Sequence, residues 1–330
     1  MLSLITGGAG LIGSHIAQHC LDIGHEVIVL DDLSGGLLEN VPKGVHFIKG
    51  SITDDGLITK LFEKYEFDYI YHLAAYASVG LSHFVRKFNY ENNVIGSINL
   101  INAAIKHKIK CFVFTSSTAV YGSNQPPYNE DMTPLPVDPY GIAKLTVELD
   151  LEAAQTLFGL NYIIFRPHNV FGEHQNIRDP YRNVVGVFIR QILSNEPLTI
   201  FGNGNQQRAF SYVRDISPII SESINNKGLY NDVYNIGSDI PISINDLIHY
   251  LAKIMGKKPK INHFPPVTEQ LNSFANHNKI NQFYKNIPKT SLEVGLTNMV
   301  SWVQDIGIIG EKTKYCIELT TKLPKYWKES

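Results

Sequence analysis

The chain has 330 residues, 44% hydrophobic and 18% charged, which suits a globular protein with one large α/β unit and a smaller lobe, or two domains. A net charge of −2, with no basic run longer than residues 256–260, excludes the footprint of a nucleic-acid binder and favours small-molecule partners. No apolar stretch reaches the length of a membrane span, the N-terminus lacks a signal-peptide pattern, and the three scattered cysteines (Cys20, Cys111, Cys316) predict no disulfide framework, so we expect a cytoplasmic protein.

Short apolar runs alternate with longer helical stretches over the first half of the chain. The runs are rich in β-branched and aromatic residues, which is typical of buried parallel strands covered by helices on both faces. The predicted strands are Leu2–Thr6, Glu26–Asp31, Val45–Gly50, Tyr69–Ala74, Cys111–Ser117 and Asn161–Pro167. The fold class is therefore α/β, a Rossmann-type doubly wound parallel sheet.

A glycine-rich turn follows the first predicted strand. In ITGGAGLIGSH, Gly7, Gly10 and Gly13 are spaced G-x-x-G-x-x-G and open a helix. Glycines here allow a tight turn and a close approach of backbone to a diphosphate, which the helix N-terminus attracts. The strand before and the helix after make this pattern a dinucleotide site.

Asp31 ends the second predicted strand, where a carboxylate accepts the adenosine ribose hydroxyls of a dinucleotide. It repels a 2′-phosphate, and no arginine follows closely, so we expect NAD rather than NADP. The alternative is that Asp31 only caps the next turn. His15 and His19, beside Cys20, have a spacing that can bind zinc, but no second ligand cluster exists and we predict no metal.

The segment DPYGIAKL places Tyr140 and Lys144 four residues apart, on one face of a predicted helix. A nearby ammonium and a positive nicotinamide ring both favour phenolate, so we expect the pKa of Tyr140 to be lowered. Tyr140 would then act as a general base near neutral pH. The alternative is a surface pair.

The second half is richer in Gly, Asn, Gln and Pro and predicts a smaller C-terminal α/β lobe for substrate. Val233–Ser238 is predicted as a strand, and the segment from Ser243 to Gly256 as a helix capped by Ser243 and Asp246. We expect a dinucleotide-binding domain at 1–172, with a later return around 211–238. The second lobe would cover 173–210 and 239–304, and 305–330 would be a mixed tail.

Four segments in order carry a family resemblance: FVFTSSTAVYG, DPYGIAK, FRPHNVFG and FGNGNQQRAFSYVRDI. With the glycine loop, they resemble the extended short-chain dehydrogenases/reductases, and more narrowly the NAD-dependent nucleotide-sugar epimerases and dehydratases. The resemblance is closest to UDP-glucose (UDP-galactose) 4-epimerases and runs to about Trp302. It implies a 4-epimerase with a transient 4-keto sugar, acting on a UDP-hexose or UDP-N-acetylhexosamine.

The resemblance implies catalytic roles for Ser117, Tyr140 and Lys144, with Ser117 relaying the sugar hydroxyl proton to Tyr140. Asn93 would support the geometry of the site, and we expect His72 to have a structural rather than a catalytic role. The cofactor-binding positions would be Gly7, Gly10, Leu11, Ile12, Gly13, Asp31, Asp32, Ser34, Ser51, Ile52, Leu73, Ala74, Ala75, Tyr140, Lys144 and Pro167.

The nucleotide-sugar substrate would meet residues from both halves of the chain. Arg208 and Asn169 match diphosphate contacts, and the segment Leu198–Phe201 matches the one that holds uracil. The substrate-binding positions would be Ser78, Val79, Ser117, Thr118, Tyr140, Asn169, Asn183, Thr199, Phe201, Arg208 and Ser273. Arg178 and Arg182 add charge or are merely solvated.

Two departures from the family pattern and one position of variable size affect substrate choice. Ser51 replaces the usual adenine-contacting aspartate, and Pro265–Gln270 lacks the usual second diphosphate arginine. Ser273 stands where residue size gates access for a 2-acetamido group, and serine is small.

Three other functions remain open. A 4,6-dehydratase would carry an Asp-Glu pair where this chain has Thr118-Ala119. A uronic-acid epimerase or decarboxylase would use an arginine for the sugar carboxylate. A non-catalytic NAD-binding regulator would usually lack the tyrosine or the lysine. The resemblance also implies a homodimer formed through the helices near 93–107 and after Tyr140.

Overall fold

The computed structural model describes residues 1–266, 271–284, 289–309, 315–324 and 327. The strands are β1 Leu2–Thr6, β2 Glu26–Asp31, β3 His46–Lys49, β4 Tyr69–His72, β5 Cys111–Thr115, β6 Tyr162–Pro167, β7 Val170–Phe171, β8 Leu198–Phe201, β9 Gln207–Ala209, β10 Ser211–Tyr212, β11 Asp232–Ile236, β12 Pro241–Ser243, β13 Ile261–Phe264 and β14 Asn272–Ser273. The α-helices are α1 Leu11–Asp22, α2 Asp55–Lys64, α3 Val79–Ser82, α4 Arg86–Tyr90, α5 Gly96–Lys106, α6 Pro139–Phe158, α7 Val184–Leu193, α8 Val213–Glu222, α9 Ile244–Met255, α10 Asn278–Asn281 and α11 Leu292–Ile306.

Within the described residues, one parallel sheet has seven strands in the order β11-β6-β5-β4-β1-β2-β3. Apolar residues of α2, α5 and α6 pack on one face, and those of α1 and α8 on the other. This is the predicted doubly wound α/β fold, with the order reversing beside β1 as ligand-binding sheets of this class do. β11 extends the sheet beyond β6, so a strand from the second half of the chain completes it.

The strand predictions hold closely, and the differences lie at the strand ends. β1 and β2 have the predicted bounds, whereas the predicted strand Tyr69–Ala74 ends at His72 and Cys111–Ser117 ends at Thr115. The residues after these two ends turn out of the sheet to line a cavity. The predicted strand Val233–Ser238 begins one residue earlier, at Asp232, and ends at Ile236, before Gly237 with φ +148°.

A second apolar core supports the smaller lobe. It joins α7, α9 and α11 with β8 through residues such as Phe188, Leu247 and Met299. α9 has the predicted capping box between Ser243 and Asp246 and ends at Gly256 in the left-handed conformation. In the described parts of the chain, no helix combines the length and apolarity that a membrane crossing requires.

Candidate active site

The glycine-rich turn after β1 lines the cavity and leads directly into α1. Gly7 has φ +72°, and a Cβ at Gly13 would lie 2.2 Å from the carbonyl oxygen of Gly7, so both positions require glycine. α1 begins at Leu11 with Gly10 as N-cap, and neither a side-chain cap nor an acidic residue occupies its first turn. Its N–H groups are therefore available to an anion at the cavity wall.

Asp31 lies at the end of β2 and both caps its turn and lines the cavity. Its Oδ2 accepts from the backbone N–H of Ala9 at 3.0 Å, and its Oδ1 from that of Leu33 at 2.8 Å. Asp31 therefore caps its turn, and the same bonds hold its carboxylate at the cavity wall. Burial raises its pKa, and the two backbone bonds oppose that shift.

Tyr140 and Lys144 share a buried face of α6, whose first turn is capped by Asp138. The Lys144 Nζ lies 5.9 Å from the centre of the Tyr140 ring and donates to the backbone carbonyl of Thr115 at 2.7 Å. Ser117 begins the turn that follows β5, and its Oγ accepts from the backbone N–H of Ala119 at 3.1 Å. These three side chains line one cavity, so the pair is not a surface pair.

The expected lowering of the Tyr140 pKa is wrong for the protein groups taken alone. Burial raises the pKa of Tyr140 to about 12, and the hydrogen bond from Ser117 and the charge of Arg182 oppose that shift only in part. Burial likewise lowers the pKa of Lys144 to about 7. Desolvation outweighs the attraction because the phenol and the ammonium are both buried.

A buried network lies behind Ser117. Ser116 donates to Glu148, whose carboxylate also accepts from Arg166 Nε at 3.0 Å. Arg166 Nη1 donates to the Tyr121 hydroxyl at 2.9 Å, and that hydroxyl donates to Asn235. These hydrogen bonds tie β5 to α6, β6 and β11, so Ser116 and Tyr121 support the site structurally.

Asn93 fixes the loop that follows β4. It lies in a π-helical turn, Glu91–Ile95, between α4 and α5. Its Oδ1 accepts from the backbone N–H of Tyr76 at 2.7 Å, and its Nδ2 donates to the Tyr76 carbonyl at 2.8 Å. The next residues, Ser78 and Val79, start α3 and face the cavity.

The residues that we predict to contact the substrate's nucleotide come from both halves of the chain. Arg208 on β9 lies beside Ser273 on β14, and its Nη1 donates to the carbonyls of Gln207 and Leu271. Asn169 Nδ2 donates to the Ala209 carbonyl, and Asn183 caps α7 through Val185 N–H. Both asparagine side chains therefore hold backbone as well as lining the cavity.

All of the predicted site residues line one cavity of about 1000 Å³ between the sheet's carboxyl edge and the smaller lobe. Besides those already placed, these are Leu11, Ile12, Asp32, Ser34, Ser51, Ile52, Leu73, Ala74, Ala75, Thr118, Pro167, Thr199 and Phe201. The departure at Pro265–Gln270 lies mostly outside the described residues.

Sequence reasoning missed several lining residues. Of the two arginines for which added charge and mere solvation were both open, Arg182 reaches into the cavity, whereas Arg178 is exposed and does not line it. Tyr315 and Trp327, from the tail to which we gave no role, also line the cavity, as does Tyr76. The aromatic content of the tail was the available signal.

The histidines have structural partners. His72 is buried between the hydroxyls of Thr6 and Ser97, at 2.7 and 2.8 Å, and burial lowers its pKa to about 3. His19 pairs with Glu222, and His15 bonds the Leu11 carbonyl. Among the described residues, no group of three or more His, Cys, Asp or Glu side chains is arranged to hold a metal ion.

Comparisons with known proteins agree with this geometry. The model of the NAD dependent epimerase/dehydratase family matches residues 3–237. A putative UDP-glucose 4-epimerase of Methanocaldococcus jannaschii is 32% identical, covering 92% of this chain and 98% of its own length. The UDP-glucose 4-epimerase of Thermotoga maritima, solved with UDP-glucose, is 35% identical at a TM-score of 0.86, covering 93% and 99% of the two chains. A UDP-N-acetylglucosamine 4-epimerase from Methanobrevibacter ruminantium M1, in complex with UDP-N-acetylmuramic acid, is 32% identical at a TM-score of 0.85, covering 92% and 98%.

Proposed function

Since the chain belongs to the NAD dependent epimerase/dehydratase family, we propose that it is a 4-epimerase of a UDP-hexose or a UDP-N-acetylhexosamine. The observation that carries this proposal is the convergence of Ser117, Tyr140 and Lys144 in the cavity that the α1 N-terminus also lines. We assign residues 1–172, with the return at 211–238, to an NAD-binding Rossmann domain, and residues 173–210 and 239–304 to a nucleotide-sugar-binding lobe.

Features of the described residues suit NAD. The uncapped N-terminus of α1 would hold the diphosphate, and the Asp31 carboxylate would hold the adenosine ribose. At the other end, Tyr140 and Lys144 would hold the nicotinamide ribose. Thr115 also lines the cavity, and its buried hydroxyl has no hydrogen-bond partner among the described residues, so it is available to the cofactor. When bound, NAD supplies a nicotinamide ring that accepts the hydride from carbon 4 of the sugar and later returns it. The positive charge of that ring favours the Tyr140 phenolate.

The protein's own groups handle the proton. Tyr140 Oη receives the proton of the sugar 4-hydroxyl, with Ser117 Oγ as the relay between them. Lys144 offsets the phenolate charge from the same helix face. Loss of this proton to Tyr140, together with loss of the hydride on sugar carbon 4 to bound NAD, would give a 4-keto sugar that turns in the cavity. Tyr140 would return the proton when the hydride returns to the opposite face of the sugar. Binding energy then has to come from the nucleotide rather than from the hexose, which must rotate.

The substrate's nucleotide would lie along the smaller lobe. Arg208 suits the diphosphate because a guanidinium binds phosphate oxygens with two parallel hydrogen bonds. Asn169 and Asn183 flank it, and Thr199 and Phe201 on β8 would hold uracil. Ser273 leaves room beside Arg208 for a 2-acetamido group.

A uronic-acid epimerase or decarboxylase is the second candidate, because Arg182 enters the cavity and a guanidinium suits a sugar carboxylate. A dehydratase is disfavoured by Thr118-Ala119, which replaces the acid and base that water elimination needs. A non-catalytic regulator is disfavoured by the complete catalytic set.

The proposal is tested by incubating the purified protein with UDP-glucose, UDP-galactose, their N-acetyl forms and UDP-glucuronate, and following the products by NMR. We expect interconversion at carbon 4, reduced on the order of a hundredfold or more in Tyr140→Phe. Tyr250→Phe, outside the cavity on α9, is the matched control and should keep wild-type activity. Full activity in Tyr140→Phe, or no conversion of any sugar, would reject the proposal.

We also propose that the protein is a homodimer. Ile95, Ile142 and Leu149, on the two helices expected to pack against a second copy, are exposed apolar residues. Leu149→Glu should convert the dimer to a monomer in sedimentation experiments, whereas Val294→Glu, equally exposed on α11, should not. A monomeric wild-type protein at micromolar concentration would contradict the dimer.

A further inference from the structure

Arg182 occupies the middle of the cofactor side of the cavity. A Cβ built at Gly35, in the turn after β2, would lie 2.5 Å from its Nη2, and its guanidinium lies 5.8 Å from the centre of the Tyr76 ring. Gly35 belongs to the turn after β2, the strand that ends at Asp31, and Tyr76 belongs to the loop after β4. The Arg182 guanidinium therefore reaches the part of the cavity wall that these two segments form.

A buried carboxylate holds the guanidinium in this place. Asp179 is 0% exposed, and its Oδ2 accepts from Arg182 Nε at 3.1 Å. Its Oδ1 accepts from the backbone N–H of Tyr181 at 3.0 Å. Nε of Arg182 makes this hydrogen bond, and the two terminal nitrogens have no hydrogen-bond partner within the described parts of the chain. The paired donors that would form a fork toward an anion thus remain available.

The C-terminal segment completes this arrangement. The Tyr315 hydroxyl donates to Asp179 Oδ2 at 2.7 Å, and its ring packs edge-on against Tyr76, 4.9 Å between centres. Glu318 anchors the segment, because its carboxylate accepts from the backbone N–H groups of Lys87 and Phe88 at 2.8 and 2.9 Å. The tail therefore supports the loop that carries Arg182.

The position of Arg182 identifies its ligand. The diphosphate of NAD joins the two riboses, so it must cross the space between Asp31 and Tyr140. The lysine and arginine side chains of the described cavity lining are Lys144, Arg182 and Arg208. Lys144 is assigned to the nicotinamide end, and Arg208, on β9, to the diphosphate of the substrate. We assign Arg182 to the cofactor diphosphate rather than to a sugar carboxylate, so a clamp here removes the support for the uronic-acid candidate.

We propose that Arg182 is a clamp on the NAD diphosphate opposite the α1 N-terminus, and that Tyr315 of the C-terminal segment holds it in place through Asp179. This inference rests on the orientation of NAD in the proposed function but not on any sugar. The clamp connects the smaller lobe and the C-terminal segment to the cofactor. Contacts from both should therefore slow the release of NAD.

Titration of NAD into cofactor-stripped full-length protein tests the clamp, with NADH fluorescence giving the release rate. We expect Arg182→Gln to weaken NAD binding tenfold or more, and Arg182→Lys less, since lysine keeps the charge but loses the fork. Tyr315→Phe should weaken binding in the same direction by a smaller factor. Arg178→Gln, an exposed arginine of the same loop, should match wild type.

UDP alone, titrated separately, should bind all these variants within about twofold of wild type. Unchanged NAD affinity in Arg182→Lys and Tyr315→Phe, or a loss of UDP affinity with NAD affinity intact, would overturn the clamp. Arg182→Gln leaves the Asp179 carboxylate buried without its cationic partner, so thermal unfolding is used to check that each variant is folded. If Arg182→Gln does not fold, Arg182→Lys and Tyr315→Phe decide the outcome. The titration stays readable even if no sugar is converted, which separates this proposal from that of the epimerase.

Discussion

Glu148 follows Lys144 by one helical turn, and both side chains are buried on the face of α6 that also carries Tyr140. Lys144 donates to the backbone of β5, and Glu148 accepts from Ser116 at the end of the same strand. The charge of Glu148 opposes the burial that lowers the Lys144 pKa. One face of α6 thus carries Tyr140, which is the proposed base, the Lys144 ammonium, and the Glu148 carboxylate that opposes the lowering of the Lys144 pKa.

Lys144 should make the stability of the cofactor-free protein depend on pH. Its pKa is about 7 in the fold and 10.5 for an ordinary lysine, so between these values the unfolded chain binds the extra proton. The free energy of unfolding should therefore rise with pH across that window, by up to about 1.4 kcal/mol per unit, and Lys144→Met should lack this rise. Urea unfolding of both proteins at pH 7, 8 and 9 measures the difference, and parallel pH profiles would contradict it.

The buried pair of Glu148 and Arg166 should be costly to break from one side. Arg166→Met leaves the Glu148 carboxylate buried without its main partner, which should lower the free energy of unfolding by about 3–5 kcal/mol. The double variant Glu148→Leu, Arg166→Met should recover part of that loss, because no lone charge remains. Lys253→Met, which breaks an exposed pair with Glu293, is the control and should cost less than about 1 kcal/mol. Equal losses in the buried and exposed pairs would refute this account.

Ser116 and Ser117 are neighbours with different predicted effects. Ser117→Ala removes the proposed proton relay and should lower kcat on the order of a hundredfold with little change in stability. Ser116→Ala removes a donor to buried Glu148 and should cost about 1–3 kcal/mol of unfolding free energy, with a smaller effect on kcat. Kinetics and denaturant unfolding of the two variants provide the comparison. A loss of kcat confined to Ser116→Ala would reverse the assignment.

The sequence predicted the sheet and the cofactor loop because their signals are local. The bounds of β1 and β2, and the Ser243 capping box, follow from apolar runs and from residues three apart. Local patterns could not predict that Arg182 lies in the cavity. Its placement depends on Asp179 and on Tyr315, which is 136 residues beyond Asp179. The Tyr140 pKa was misjudged for a related reason: spacing revealed the nearby lysine, whereas desolvation depends on the whole packed cavity.

Ser273 should decide whether a 2-acetamido sugar fits. It is half-buried on β14, in register with Arg208, and both Ser273 and the buried Tyr128 line the cavity. Ser273→Tyr would fill the space beside Arg208, the proposed diphosphate ligand, so kcat/KM for UDP-N-acetylhexosamines should fall tenfold or more. The plain UDP-hexoses should lose much less, because a hydroxyl at carbon 2 needs little room.

NMR kinetics on both sugar classes measure the ratio of the two kcat/KM values. Ser273→Ala, which removes the hydroxyl without adding bulk, should leave that ratio near its wild-type value. An equal loss on both sugar classes in Ser273→Tyr would indicate general disturbance of the cavity and would contradict a gating role. A selective loss of the N-acetylated sugars would place the choice of substrate on the edge of β14, because the catalytic face of α6 is unchanged in these variants.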